Sequence, residues 1–396
     1  MLAIYELGEK ELRRIKIACK NLFPPEFATD IEFIASLNSE TIKNAYRAKA
    51  RCYHPDLHRD EPSGTLERRI KRFKSIQRSY KLLIANLKER APGKVIAVGG
   101  AKGGIGKSLF AANLGVILSS IGLKTVVVDL DLGGANLHFY LGETALEREI
   151  NDFLNGTFTA IEDIAIESKY GPRLIGGDSS QLGVANIAFL QKLKLLRAIK
   201  DIDADYVIID LGGDTNYNII DFFLAADHKV VLTTREPASY LDAYRFIKVS
   251  LFRKLNRLFG SESEHRAQKD TELEALLHDA TMSSKESDAS SISELLERVN
   301  QLDPGHVPLI ESAIAEFKPQ LVVNKAPAGY DTTRIAEHIN SVSQKVLSLS
   351  VQHIGDISLQ AEIEESALVL VPVVSTHPDG ACAREIRSIA SKLLYK

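Results

Sequence analysis

Two different spacings of apolar residues divide the chain near residue 90. In the segment "SETIKNAYRAKARCYHPDL" the apolar positions Ile42, Tyr46 and Ala50 recur every four residues, which predicts an amphipathic helix with Ser39 as its N-cap. Pro55 predicts the end of this helix, because proline lacks a backbone N–H group and disfavours the helical conformation in the residue before it. The first part of the chain is therefore predicted to be helical.

A second amphipathic helix is predicted after the loop "EPSG" at positions 61–64. Its apolar positions follow a period of about 3.6 residues; they are Leu66, Ile70, Phe73, Ile76, Tyr80 and Leu83. The segment "RAPGK" at 90–94 has the composition of a short linker. We therefore predict a small helical region over 1–90, followed by a larger domain over 91–396.

From Lys94 onwards, short runs rich in β-branched residues alternate with helical stretches. The runs are "VIAVGG", "TVVVDLD", "YVIID", "HKVVLTT" and "QLVVN". Apolar strands of this kind are buried on both faces, so the predicted fold is α/β, with a mostly parallel, doubly wound sheet. Polar stretches between 250 and 317, among them "SESEHRAQKD" and "SSKESDASS", predict an inserted helical segment that is partly mobile.

The composition is that of a soluble globular protein with an uneven charge distribution. The 396 residues are 45% hydrophobic and 26% charged, with a net charge of -3. Residues 1–90 hold 19 Lys and Arg against 12 Asp and Glu, whereas the remaining residues hold 30 against 40. A basic first unit and an acidic second unit predict different partners for the two.

The cysteines argue against a metal centre built from paired thiolates. Cys19, Cys52 and Cys382 are the three cysteines, and none of them is in C-x-x-C spacing. Free thiols suit a reducing compartment, which predicts a cytoplasmic protein. The sequence also has no run of about 18 apolar residues that would span a bilayer.

The segment "VGGAKGGIGKSLFAANL" at 98–114 places a glycine-rich turn between a predicted strand and a predicted helix. Backbone N–H groups in such a turn bind phosphate oxygens, with a lysine on the β- and γ-phosphates and a Ser or Thr hydroxyl on Mg²⁺. The residues predicted to bind ATP are Gly103, Gly104, Ile105, Gly106, Lys107 and Ser108. ATP and Mg²⁺ are thus the predicted cofactors, although Ala101 stands where the strict pattern has glycine.

A second lysine, Lys102, gives this turn a more specific resemblance. "KGGIGKS" resembles the deviant Walker A motif of the MinD/ParA family of P-loop ATPases, and the resemblance covers about 94–250 and 318–396. In that family the extra lysine reaches the nucleotide of a partner subunit. The resemblance therefore implies an ATP-dependent homodimer in which Lys107 serves its own site and Lys102 the partner's.

Other segments resemble further motifs of this family. "VVVDLDLGGANLHFYLG", with Asp129 and Asp131, looks like switch I, and "YVIIDLGGD" looks like Walker B and switch II, with Asp210 near Mg²⁺. A structural role is predicted for Asp129. "TTREPASYLDAYRFIK" is similar to flagellar-number regulators of the MinD group, and "VVNKA" places Asn324 where the family often contacts adenine.

The second acidic residue after the Walker B strand departs from the MinD pattern. Asp214 stands where MinD-like proteins commonly have glycine, and the order of Asp210, Gly213 and Asp214 resembles the nitrogenase iron protein. There the second aspartate acts on the attacking water. Asp131 and Asp214 are therefore both candidate catalytic residues, and the alternative for Asp214 is a turn residue that caps local N–H groups.

The first unit resembles a J-domain. His54, Pro55 and Asp56 lie between two predicted helices, after a basic helix that carries Lys43, Arg47 and Arg51, and "RFKSIQRSYKLL" matches the third helix. J-domains use the tripeptide and the basic helix to stimulate a DnaK-type chaperone, so His54, Pro55, Asp56, Arg47 and Arg51 are the predicted partner-docking residues. The alternative is a docking module that keeps only the fold.

These expectations combine into an ATP-driven dimerisation switch. We expect slow, partner-stimulated hydrolysis and a role in positioning a flagellum, a cell pole or a chromosome, with polar or flagellar proteins bringing the chain to a pole or membrane. The alternatives are an ATP-dependent amidase or ligase of the same superfamily, a non-hydrolysing scaffold, and an iron–sulfur carrier, which the cysteine count opposes. The basic first unit could also bind nucleic acid, but it has few aromatic residues among its basic ones.

Overall fold

The computed structural model describes residues 9–24, 28, 30–37, 39–58, 62–86, 93–131, 134–177, 187–259, 272–273, 275–276, 291–327 and 329–394. The chain forms two compact units, Met1–Pro92 and Gly93–Lys396. The boundary between Pro92 and Gly93 falls inside the segment "RAPGK".

The first unit is helical over the residues that the structure describes. Its helices are α1 (Glu9–Leu22), α2 (Ile31–Ser36), α3 (Ser39–Tyr53) and α4 (Ser63–Asn86). A 3₁₀ turn at Pro55–Leu57 connects α3 and α4. Helix α3 therefore ends just before the proline, as the sequence predicts, and Ser39 is its first residue.

The helices of the first unit share one apolar core. The completely or almost completely buried residues are Ile15, Ala18, Cys19, Leu22, Ile34, Leu37, Ile42, Ile76 and Leu83. Tyr46 stacks on Tyr80 with ring centroids 4.4 Å apart, which joins α3 to α4. Asn21 Nδ2 donates to Ser79 Oγ at 2.9 Å, which joins α1 to α4. The helical spacing of apolar residues thus produces the packing that it predicts.

The second unit is built on an eight-stranded sheet. The strands are β1 (Lys94–Gly99), β2 (Thr125–Leu130), β3 (Ile166–Glu167), β4 (Arg173–Ile175), β5 (Tyr206–Leu211), β6 (His228–Thr234), β7 (Pro319–Ala326) and β8 (Gln352–Ser358). Their order is β3-β4-β2-β5-β1-β6-β7-β8, and only the β3–β4 pair is antiparallel. The prediction of a mostly parallel sheet is confirmed.

Helices cover both faces of this sheet. They are α5 (Lys107–Ser120), α6 (Ile150–Leu154), α7 (Phe189–Lys200), α8 (Tyr217–Ala225), α9 (Pro237–Phe259), α10 (Ile292–Leu302), α11 (Val307–Glu316), α12 (Thr333–Leu347), α13 (Ala361–Leu368), α14 (Val373–Thr376) and α15 (Ala381–Leu394). In β1, Val95 and Ala97 pack toward one apolar cluster, with residues of α7 to α12, while Ile96 and Val98 pack toward the other, with α5 and α15. Two buried faces explain why the strands are continuous apolar runs.

The segment predicted as an insertion divides into parts with different outcomes. Residues 250–259 are the last turns of α9, and α10 and α11 place Ile292, Leu295 and Val299 in the core. The helical character predicted for this segment agrees with α10 and α11, whereas its status as an insertion stays a prediction. The polar stretch 261–270 and most of 283–291 lie outside the described residues. The mobility predicted for these stretches therefore stays a prediction.

The last described helix also belongs to the domain core. Helix α15 buries Cys382, Ile386, Ile389 and Leu393 against α5 and β8. Among the helices that the structure describes, none combines the length and the apolar character needed to cross a bilayer.

Candidate functional site

The turn between β1 and α5 adopts a conformation that depends on glycine. Gly104 and Gly106 have φ angles of 75° and 94°, in the left-handed region that glycine tolerates best. A Cβ atom at Gly106 would lie 2.3 Å from Nδ2 of Asn324. Glycine at 106 therefore permits both the left-handed turn and the close approach of the end of β7.

Three carbonyl groups of this turn accept hydrogen bonds from side chains. The pairs are Lys107 Nζ with Lys102 O at 3.0 Å, Lys325 Nζ with Gly104 O at 2.8 Å, and Asn324 Nδ2 with Ile105 O at 2.7 Å. In a trans peptide the carbonyl and the following N–H point in opposite directions, so these bonds orient the N–H groups of residues 103, 105 and 106. The N–H groups of 103–106 donate to no acceptor among the described residues. Such a row of unpaired donors is suited to an anion.

Lys107 is the buried cation of this turn, with 7% of its surface exposed. Burial lowers its pKa, and the negative charges of Asp210 and Asp131 oppose that change. An ammonium group in such surroundings is stabilised by any anion that enters the turn. Lys107 is thus placed to bind a phosphate group.

Asp129 and Asp210 lie opposite each other on β2 and β5. Asp129 is completely buried, and its oxygens accept hydrogen bonds from Asp131 N and Leu137 N, both at 3.0 Å. Burial raises the pKa of Asp129 to about 6, although these hydrogen bonds act in the opposite direction. Asp129 therefore fixes the backbone that follows β2, which agrees with a structural role.

Asp210 is buried without such partners. Only 1% of its surface is exposed, and neither carboxylate oxygen has a hydrogen-bond partner within normal geometric limits among the described residues. Burial and then the Asp129 carboxylate raise its pKa well above the ordinary value, while the nearby Ser108 hydroxyl and Lys107 ammonium favour the charged form. A buried pair of oxygens beside a serine hydroxyl is the donor set that Mg²⁺ prefers. Ser108 and Asp210 therefore fit the predicted metal ligands.

A cavity of about 700 Å³ opens at the carboxyl ends of the strands, above the turn. Among the residues that line it are Gly103, Gly104, Gly106, Lys107, Ser108, Asp131, Asn136, Tyr140, Gly213, Lys325 and Leu359. The volume is in the range of cofactor sites, and the place is where α/β sheets commonly bind ligands. The structure thus brings the predicted phosphate-binding residues and Asp131 together in one cleft.

In the first unit, the turn between α3 and α4 is held to both helices. The His54 ring meets the Phe73 ring edge-on, with centroids 5.0 Å apart. Arg69 Nη1 donates to the Cys52 carbonyl at 3.1 Å, which ties α4 to the end of α3. Arg47 and Arg51 are exposed on α3, as is Lys43, and Pro55 and Asp56 lie in the 3₁₀ turn.

Two protein-family models match the chain, one in each of its two units. Residues 96–368 match the family model described as the CobQ/CobB/MinD/ParA nucleotide binding domain. The chain belongs to this family. Residues 34–91 match the model of the DnaJ domain, which here spans α3, the turn and α4. Both resemblances predicted from the sequence are confirmed.

Curated relatives match part of the nucleotide-binding domain. The antiactivator FleN of Pseudomonas aeruginosa is 31% identical over 171 residues, which are 43% of this chain and 59% of that protein. The flagellum site-determining protein YlxH of Helicobacter pylori is 33% identical over 162 residues, 40% of this chain and 53% of that protein. The chain thus spans a little over half of the length of these relatives.

A solved structure agrees with the fold of the nucleotide-binding domain. The MinC:MinD cell division protein complex of Aquifex aeolicus gives a TM-score of 0.51 at 20% identity, covering 77% of this chain and 96% of the matched chain. At this level of identity the similarity concerns the fold alone.

Two predicted residues of the nucleotide-binding domain adjoin residues that line the cleft in sequence, Lys102 beside Gly103 and Asp214 beside Gly213. Lys102 Nζ is 3.2 Å from Glu236 Oε2, and the exposed fractions of the two side chains are 41% and 68%. Asp214 is exposed, and its oxygens accept hydrogen bonds from Thr215 N at 2.6 Å and Asn216 Nδ2 at 3.1 Å. Asp214 thus caps its own turn in this structure, and neither its role nor that of Lys102 is decided by this geometry.

Sequence reasoning missed three residues in or near this cleft. Lys325 binds a carbonyl of the turn, Glu236 pairs with Lys102, and Tyr140 lines the cavity, where burial and the charge of Asp210 raise its pKa. No pattern of sequence spacing links these three residues to the turn at 98–114. Asn324 was predicted, but both polar groups of its amide bond the protein, since Oδ1 accepts from Lys325 N at 2.8 Å. Its contact with adenine stays a prediction.

Proposed function

We propose that the second unit binds and hydrolyses Mg-ATP. The observation that supports this best is the Asp210 carboxylate, buried beside Ser108 and Lys107 without a hydrogen-bond partner among the described residues, together with the N–H groups of 103–106, which are likewise unpaired there. Buried charges of this kind are costly unless a ligand compensates them. A phosphate anion and a divalent cation would do so together.

The chain's residues have distinct parts in this proposal. The N–H groups of 103–106 bind phosphate oxygens, and Lys107 adds a positive charge beside them. Ser108 and Asp210 would hold Mg²⁺, which when bound neutralises charge on the transferred phosphoryl group. Asp131 lines the cavity and is our first candidate for orienting the attacking water, with Asp214 as the alternative.

We further propose that ATP joins two copies of the chain. The ion-pair partner of Lys102 is the exposed Glu236, so the ammonium group of Lys102 can exchange this carboxylate for the phosphates of a second subunit. An exposed ion pair of this kind contributes little to stability. Lys102 would then complete the partner's site, so that hydrolysis depends on dimerisation and is slow without partner proteins.

The relatives suggest what such a switch controls. FleN is named an antiactivator, and YlxH is named a flagellum site-determining protein. We propose that this chain acts in the placement or regulation of a cellular structure such as a flagellum, through polar or flagellar partners. A cytoplasmic location that partners shift to a pole or the membrane follows from this proposal.

The first test is ATP binding by the full chain. Lys107→Ala should abolish binding of a fluorescent ATP analogue, because the phosphates lose the buried cation while the buried Asp210 carboxylate remains. The matched control is Lys345→Ala, which removes an exposed lysine on α12 and should bind as the wild type does. Unchanged affinity in Lys107→Ala would place the nucleotide elsewhere.

The first unit is proposed to act on a DnaK-type chaperone. The exposed basic residues of α3, which include Arg47 and Arg51, would steer it to an acidic surface, so the encounter should weaken with salt. The test uses the full chain with Lys107→Ala, so that its own hydrolysis adds no background. This protein should accelerate single-turnover hydrolysis by the chaperone, and adding His54→Gln should remove the effect. No acceleration at low salt would leave the unit as a docking module.

A further inference from the structure

Lys325 occupies an unusual backbone position at the end of β7. Its φ angle is 56°, in the left-handed region that residues with a Cβ avoid and that glycine tolerates. The register of β7 against β8 shifts here, since Val323 pairs with Asp356 but Ala326 pairs with Ser358. One extra residue in β7 against β8 is a β-bulge, and bulges often redirect side chains beside functional sites.

The bulge directs two neighbouring side chains to two consecutive carbonyls of the phosphate-binding turn. Asn324 Nδ2 donates to Ile105 O, and Lys325 Nζ donates to Gly104 O, which is 221 residues away in sequence. The amide oxygen of Asn324 also accepts from Lys325 N at 2.8 Å, which stabilises the bulge itself. The left-handed backbone at position 325 favours glycine, but the lysine there makes a hydrogen bond to the turn that glycine could not make.

The Gly104 peptide has little else to fix its orientation. Gly104 has a φ angle of 75°, and a Cβ atom built at Gly103 or at Gly104 would meet nothing within 4 Å. Only the Ile105 side of this peptide is packed, so its carbonyl can turn more easily than one between two residues with packed side chains. Because the Gly104 carbonyl and the Ile105 N–H share one planar peptide, holding the carbonyl on Lys325 aims the N–H into the cavity.

We propose that Lys325 is a positioning residue for the diphosphate part of a bound nucleotide. It keeps the Gly104 peptide in the orientation that binds phosphate before the nucleotide arrives, so part of the ordering cost of binding is removed. This proposal rests on the proposed nucleotide site. In this proposal Lys325 acts on the N–H groups of the turn and makes no contact with the terminal phosphate. Its removal should therefore lower the affinities for ATP and ADP by the same factor.

The test measures binding of Mg-ATP and Mg-ADP to the full chain by calorimetry. Lys325→Met keeps the stem and removes the donor, and it should weaken both nucleotides by the same factor, about 10-fold, as expected for a lost charge-assisted hydrogen bond. Lys325→Arg keeps a cationic donor and should recover most of the affinity. Lys345→Met, on an exposed position of α12, is the control and should bind normally.

Lys325→Gly separates positioning from a structural role. Glycine relieves the left-handed backbone, so the thermal midpoint of the nucleotide-free protein should not fall, whereas nucleotide affinity should fall as in Lys325→Met. A fall in both the thermal midpoint and the nucleotide affinity would show that Lys325 stabilises the fold, which would overturn the proposal. A larger loss for ATP than for ADP would also overturn it, because the ammonium group would then contact the terminal phosphate.

The outcomes also distinguish this inference from the proposed function. Nucleotide binding by the wild type, with unchanged affinity in Lys325→Met, would overturn the positioning role alone. No binding by the wild type would overturn the proposed function, and the positioning role with it.

Discussion

The floor and the rim of the cleft satisfy their charged side chains in different ways. What we call the floor is Lys107, which lines the cleft, with its buried neighbour Asp210, and their exposed fractions are 7% and 1%. What we call the rim is the half-buried Lys102 with the exposed Asp214 and Glu236; Lys102 pairs with Glu236, and Asp214 accepts hydrogen bonds from Thr215 and Asn216. The floor therefore holds charges that are largely buried, whereas the rim holds charges that water can solvate equally well.

This difference in burial predicts different roles for the two regions, ligand binding for the floor and subunit assembly for the rim. A buried charge whose partners are incomplete costs roughly several kcal/mol. The floor therefore gains most from a ligand that supplies an anion for Lys107 and a cation for Asp210. An exposed ion pair is worth about 0–1 kcal/mol, so the rim can exchange partners at little cost. We expect changes on the floor to affect ligand binding and changes on the rim to affect assembly and turnover.

The largest effect is expected from Lys102→Ala, which should remove ATP-dependent dimerisation and the hydrolysis that depends on it. ATP binding by the monomer should persist, because Lys107 donates to the backbone carbonyl of residue 102, which alanine retains. Light scattering with and without Mg-ATP measures the assembly. Glu236→Gln is the matched control, since it removes the partner carboxylate and leaves the ammonium group free to act. A Lys102→Ala protein that dimerises normally would place the rim outside the subunit interface.

A smaller effect is expected for the residue that orients water. Asp131→Asn should lower the turnover of bound ATP by about 10²–10⁴-fold, the usual range for loss of a general base, with little change in affinity. Asp214→Asn should affect turnover much less if its carboxylate only caps the turn at Thr215 and Asn216. Single-turnover hydrolysis decides between them. The reverse result would assign the water to Asp214 and require switch II to rearrange.

The smallest effect concerns stability and comes from Asp210→Asn. Burial raises the pKa of Asp210 above its ordinary value of 3.8, so the folded state binds a proton more tightly than the unfolded state. The contribution of this group to the free energy of unfolding therefore decreases as pH rises from its ordinary pKa toward the raised pKa. Asparagine removes this titration, and the nucleotide-free variant should be more stable by about 1–3 kcal/mol at high pH.

The measurement for Asp210→Asn is urea unfolding across a pH series, without and with Mg-ATP. The stability difference from the wild type should narrow as pH falls toward the ordinary pKa of the group. Mg-ATP should stabilise the variant less than the wild type, because a metal ligand is lost. If Asp210→Asn were less stable than the wild type at every pH, the Asp210 carboxylate would be stabilised by the folded protein and would not be an uncompensated charge.

The sequence by itself determined the features that depend on neighbouring residues. Apolar spacing predicted α3 and α4, and Pro55 predicted where α3 ends, because helices form from local contacts. The turn at 98–114 could be predicted for the same reason, since strand, glycines, lysine and helix follow one another. Apolar runs also predicted a parallel sheet, because strands buried on both faces need no alternation.

Only the tertiary structure decided which distant residues complete the cleft. Asp129 and Asp210 become neighbours through the pairing of β2 with β5, and Lys325 reaches the turn through a bulge in β7. Glu236 meets Lys102 from 134 residues away. A parallel sheet joins strands that lie far apart in sequence, and no local pattern records which of their ends will meet.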